Sequence, residues 1–135
     1  MKLEMGNILI VEDDPFNVEL FELILRRIGN FDTISTDDGQ RILQILNDGK
    51  IDLIIMDVSL DNTYIDEKKV DGILLSRMIK ENKNWKSIPI IIVTAYAVEE
   101  DINRILKESR AELCFKKPIT NYLEFINTIK GLIGK

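Results

Sequence analysis

The chain has no histidine and a single cysteine, Cys114. Those two shortages exclude a His/Cys zinc site and a Ser-His-Asp triad. They also exclude an intramolecular disulfide. Any metal must therefore be held by oxygen, which favours magnesium, calcium or manganese. Long apolar runs are missing too: none approaches the roughly 18 residues that a bilayer span requires. The N-terminus, Met1-Lys2-Leu3-Glu4-Met5-Gly6, lacks the apolar stretch of a signal peptide. Positive charge is in short supply, with 18 Lys and Arg against 23 Asp and Glu and a net charge of −5. Such a surface repels a phosphate backbone, so direct nucleic-acid binding is not expected. The absences point to a soluble, cytoplasmic protein without membrane insertion.

What is present is one domain's worth of chain: 135 residues, 45% hydrophobic and 30% charged. Short apolar runs alternate with longer stretches of helical period. Ile8 to Val11, Asp52 to Met56 and Pro89 to Val93 read as buried strands, with weaker ones near Thr33–Ser35 and Glu112–Phe115. Between them, Val18, Phe21, Leu25 and Ile28 step by helical spacing, with Asp14 a candidate N-cap and Pro15 suited to the first turn. Helical stripes recur through Ile42–Leu46, Ile73–Ile79, Ile102–Leu106 and Tyr122–Ile133. Asp61 to Val70 reads as loop. Five strand–helix units in succession predict a doubly wound α/β domain with a parallel sheet, spanning 1–135, because each parallel link needs a crossover.

In such a sheet, ligands bind beyond the carboxyl ends of the strands. Glu12, Asp13 and Asp14 follow the first strand there, Asp57 the third, Thr94 the fourth, and Lys116-Lys117-Pro118 the fifth. Singly, each has an ordinary explanation: helix cap, strand end or solvated charge. Together they form a crowd of carboxylates with a hydroxyl and an ammonium. Carboxylates that close raise one another's pKa unless a cation lies between them, and an oxygen-ligated divalent ion meets that need.

Val11-Glu12-Asp13-Asp14, Leu53-Ile54-Ile55-Met56-Asp57, Ile92-Val93-Thr94-Ala95 and Phe115-Lys116-Lys117-Pro118-Ile119 stand in an order and spacing that resembles the receiver domain of two-component response regulators. The resemblance covers essentially the whole chain. It implies a flavodoxin-like (βα)5 fold and a phosphoacceptor signalling domain rather than an enzyme acting on other substrates. Asp57 would take a phosphoryl group from a histidine kinase or histidine phosphotransfer protein. Mg2+, with Mn2+ as a substitute, would be held by Asp13, Asp14, Asp57 and the backbone carbonyl of Ser59. Lys117 and Thr94 would bind phosphoryl oxygens. The Lys117-Pro118 bond would be cis, and Lys116 would point away from the site. A downstream protein, reached by the face of the fourth helix, fifth strand and fifth helix, would read the signal.

Three features depart from that pattern. Gly72 follows Asp57 by 15 positions, far beyond a common loop of about 2–6 residues. The extra length reads as a surface insertion or, more pointedly, as a docking element or partial lid; the usual proline is absent and Asp61 or a neighbour stands there. Cys114 occupies the place of the family's switching aromatic, which leaves Thr94, or Tyr96 beside it, to carry the switch. No output domain follows the fifth helix, as expected of a single-domain regulator or of a domain cut from a larger protein. Two other readings use the same residues. A haloacid dehalogenase-type hydrolase would want a second aspartate where Ser59 stands. A flavodoxin-like binding module that never receives phosphate would usually lack one of the acid, Thr or Lys positions, and here none is missing.

Overall fold

The structure is a computed structural model that describes residues 6–95 and 98–134. In chain order it contains β1 (Asn7–Val11), α1 (Pro15–Leu23) running into a π-helical turn (Ile24–Ile28), β2 (Asp32–Thr36), α2 (Gly39–Asn47) and β3 (Leu53–Asp57). There follow β4 (Tyr64–Ile65), β5 (Lys68–Lys69), α3 (Gly72–Glu81), β6 (Ile90–Thr94), α4 (Glu99–Ser109), β7 (Leu113–Lys116) and α5 (Tyr122–Ile133). The main sheet is five-stranded in the order β2-β1-β3-β6-β7, and every pairing in it is parallel. This is the expected (βα)5 arrangement.

Ile8–Val11, Leu53–Met56 and Ile90–Val93 of the three central strands are apolar because both faces of the sheet are covered there. Alternate residues serve opposite layers. Leu9, Val11, Ile54, Met56, Ile90 and Ile92 pack with Ile42, Ile45 and Leu46 of α2, Leu75 and Ile79 of α3, and Ile105 of α4. Ile8, Ile10, Leu53, Ile55, Ile91 and Val93 pack with Phe21 and Leu25 from α1 and its π turn, and with Phe125, Ile126 and Ile129 of α5. Phe125 is fully buried and makes an edge contact with Phe115 at 5.2 Å between ring centroids. The strand and helix positions read from periodicity therefore all appear.

The segment after β3 differs from the expected loop. Residues 64–65 and 68–69 pair antiparallel as a small hairpin, turning through Asp66 and Glu67 at φ 51° and 68°. Two successive residues with positive φ make a turn of the mirror-image kind that matches strand twist. Asn-Gly normally announces such a turn; here an Asp-Glu pair makes it, so the sequence carried no turn signal. The hairpin is docked, not free: Leu60, Ile65 and Val70 belong to the core layer that α2 covers.

Candidate functional site

Each site residue owes its position to a strand end. β1 runs out at Val11 and presents Glu12 and Asp13 at the carboxyl edge; β3 ends on Asp57 and β6 on Thr94. Lys117 follows β7 directly, and its backbone N–H donates to the Thr94 carbonyl at 2.7 Å, which ties the lysine to the end of the neighbouring strand. The Lys117-Pro118 peptide is cis, as the resemblance implied. Beneath the site, Gly72 is required: a Cβ there would collide with the Asp57 carbonyl. Its N–H instead donates to Val58 O at 2.9 Å and closes the backbone behind Asp57.

Asp57 and Glu12 are buried, at 4% exposure each. Lys117 Nζ lies 2.8 Å from Asp57 Oδ1 and 3.2 Å from Glu12 Oε1. Glu12, Asp13 and Asp57 each offer a carboxylate oxygen within 4.8 Å of the others, an arrangement that could hold a metal ion. One ammonium therefore contacts two of three clustered carboxylates. The imbalance is visible in Glu12, whose pKa is pushed up to about 7, first by burial and then by the charge of Asp57, against the opposing pull of Lys117. Burial alone would lower the Lys117 pKa, but its hydrogen bond to Asp57 and the charges of Asp57 and Glu12 outweigh it, and the pKa rises. The donor set is all oxygen and rich in negative charge, which suits a hard divalent cation.

Asp14 is not brought into this group. Its Oδ1 accepts the Phe16 N–H at 3.0 Å and caps α1, with Pro15 at the first helical position. Glu12 takes the place in the cluster that the sequence reading gave to Asp14. The signal was available, since a proline at the first turn marks the preceding aspartate as the cap and moves the acidic pair one residue closer to the strand. Asp13 is held by a contact the sequence did not foretell: the Asp61 N–H donates to Asp13 Oδ2 at 3.0 Å. Ser59 lies exposed in the turn after Asp57, and Thr94 is buried at 1%. Lys116 is exposed, while Lys117 beside it reaches the acidic cluster.

Cys114 is half-buried beside the layer of α2, α3 and α4, and burial pushes its thiol pKa up. It is therefore a packing residue with little thiolate. Phe115 packs on the opposite layer against Phe125. Tyr96 lies outside the described residues. No helix among the described residues is long and apolar enough to cross a membrane.

Comparison with known proteins gives the same assignment. The polar-differentiation response regulator DivK of Brucella anthropi is 33% identical over 128 residues, covering 95% of this chain and 96% of that protein. The receiver domain of a sensor histidine kinase from Pseudomonas aeruginosa PAO1 superposes with a TM-score of 0.79 at 27% identity, covering 98% of this chain and 100% of that one. That structure has a magnesium ion coordinated in its active site cleft. The signal receiver domain of a histidine kinase from Syntrophus aciditrophicus matches at a TM-score of 0.78 and 29% identity, covering 96% of this chain and 90% of that one. Residues 8–129 match the response regulator receiver domain. With the parallel sheet, the acids at its carboxyl edge and the lysine that meets them, the chain belongs to the response regulator receiver domain family of two-component signalling.

Proposed function

We propose that residues 1–135 act as one receiver domain that accepts a phosphoryl group on Asp57. The donor would be a histidine kinase or a histidine phosphotransfer protein in the cytoplasm, and the output a protein–protein contact. The observation that carries this is the buried Asp57 carboxylate, in contact with Lys117 at 2.8 Å and crowded by Glu12 and Asp13. Receiver domains work with histidine kinases, and the kinase-borne domains among the similar structures support that donor.

Asp57 would act as a carboxylate nucleophile. One of its oxygens forms a bond to phosphorus as the donor's bond to phosphorus breaks, and the leaving imidazole or acetate keeps the electron pair. The Lys117 ammonium, already beside Asp57, would pair with a phosphoryl oxygen, and the Thr94 hydroxyl would donate to another. Asp13 and Asp57, with the Ser59 carbonyl and with Glu12 directly or through water, would hold Mg2+, or Mn2+ in its place. The cation would supply charge neutralisation for phosphoryl oxygens in a site that already carries excess negative charge. The chain would thus promote only its own phosphorylation and dephosphorylation. The added phosphoryl brings about −1.5 to −2 charges, which is the signal a partner reads.

The test is incubation with acetyl phosphate and Mg2+, followed by intact-mass measurement. One phosphoryl group should be gained, and Asp57→Asn should gain none. Turnover of an unrelated phosphomonoester without a stable adduct would instead favour a hydrolase, and no gain at any Mg2+ concentration would sink the phosphoacceptor reading.

A further inference from the structure

The hairpin between β3 and α3 touches the site through its backbone. The Asp61 N–H occupies Asp13 Oδ2, which leaves the other Asp13 oxygen for a ligand. Two residues on, the buried Thr63 hydroxyl donates to the Asp37 carbonyl at 2.6 Å, pinning the segment to the chain just beyond β2. The Val70 N–H returns to Thr63 O at 3.0 Å and closes the hairpin's base. Ile65 and Val70 are 6% and 2% exposed against the α2 layer. Gly39, at the start of α2, admits the hairpin backbone: a Cβ there would collide with the Tyr64 carbonyl. The hairpin is thus fixed at four points, and one of them is a carboxylate of the acidic cluster.

We propose that the β4–β5 hairpin is a positioning element for the cation site, holding the Asp13 carboxylate through the Asp61 N–H and so raising the affinity for a divalent cation. The proposal rests on the cation reading given above. Groups that orient a metal ligand by hydrogen bonding set both its direction and its basicity, and their loss typically costs about 10–100-fold in metal affinity. A backbone donor does this without a side chain, so its identity is hidden from the sequence. Coupling is reciprocal: cation binding at Asp13 stabilises the hairpin's docked form. A partner that grips the exposed Tyr64 or the exposed Lys68 and Lys69 would in turn alter the affinity of the site.

Calorimetric titration of Mg2+ into the full chain tests this. Asp61→Pro removes the N–H donor, and about a tenfold weakening is expected. Thr63→Val loosens the anchor and should weaken binding to a smaller degree. A hairpin that served stability alone would lower the melting temperature and leave the Mg2+ affinity where it was; wild-type affinity in both variants overturns the proposal. Should Asp61→Pro not fold, amide exchange in the wild type decides together with Thr63→Val. Saturating Mg2+ should slow exchange at Asp61 and Val70, while unchanged exchange there with unchanged Thr63→Val affinity overturns it. Failure of the cation reading looks different: the wild type would bind no Mg2+, or Asp57→Asn would bind it equally well.

Discussion

Two lysines are largely buried at opposite edges of the same sheet, and they live in different electrostatic company. At the amino edge, the Lys80 side chain is 6% exposed and its Nζ donates to Lys86 O at 3.2 Å, Ile88 O at 2.7 Å and Glu112 Oε2 at 2.7 Å. Three donors meet three acceptors, and one charge meets one charge. The second Glu112 oxygen accepts the Ile90 N–H at 2.8 Å, so that cluster is closed. At the carboxyl edge, Lys117 faces Asp57 and Glu12 with Asp13 beside them, and the charges do not balance. A saturated buried charge holds structure together; a buried charge excess is a request for a ligand.

The comparison can be broken from either side. Asp57→Asn should have the largest effect, complete loss of phosphoryl gain from acetyl phosphate by intact mass, with the far edge untouched. Lys117→Met should come next, slowing phosphorylation by about 10²–10³-fold, the usual cost of removing a donor aimed at developing charge; an unchanged rate would show that the cation alone suffices. Lys80→Met should do the opposite. By denaturant unfolding it should cost about 2–4 kcal/mol, because Glu112 and two carbonyls lose their partner, while phosphorylation stays at the wild-type rate. The smallest effect is expected at Asp14. Asp14→Ala should cost about 1 kcal/mol through its lost cap and leave Mg2+ affinity unchanged, whereas Glu12→Gln should weaken Mg2+ binding. Reversal of that last pair would return Asp14 to the metal site.

The same contrast explains what was legible in the sequence. β1, β3 and β6 announce themselves as apolar runs because both faces are buried, and strand ends then locate Asp57, Thr94 and Lys117. Identity of residue type fails at a one-residue offset: Glu12 and Asp14 are both carboxylates, and only the proline at the first turn of α1 separates the member of the acidic cluster from the cap. The Lys80–Glu112 latch joins positions 32 apart, and no local pattern encodes such a partner. The hairpin was missed for a third reason. Its strands have two residues each, its turn uses Asp66-Glu67 without glycine, and its link to Asp13 is a backbone N–H.

Phosphoryl transfer to Asp57 is the central event of the proposed function, and one measurement reaches it directly. The protein would be treated with acetyl phosphate and Mg2+, reduced with borohydride and mapped by peptide mass spectrometry. The account predicts homoserine in place of Asp57, the product expected from an aspartyl phosphate, dependent on the divalent cation. An unmodified Asp57, or phosphate found instead as an ester on Ser59 or Thr94, would contradict it.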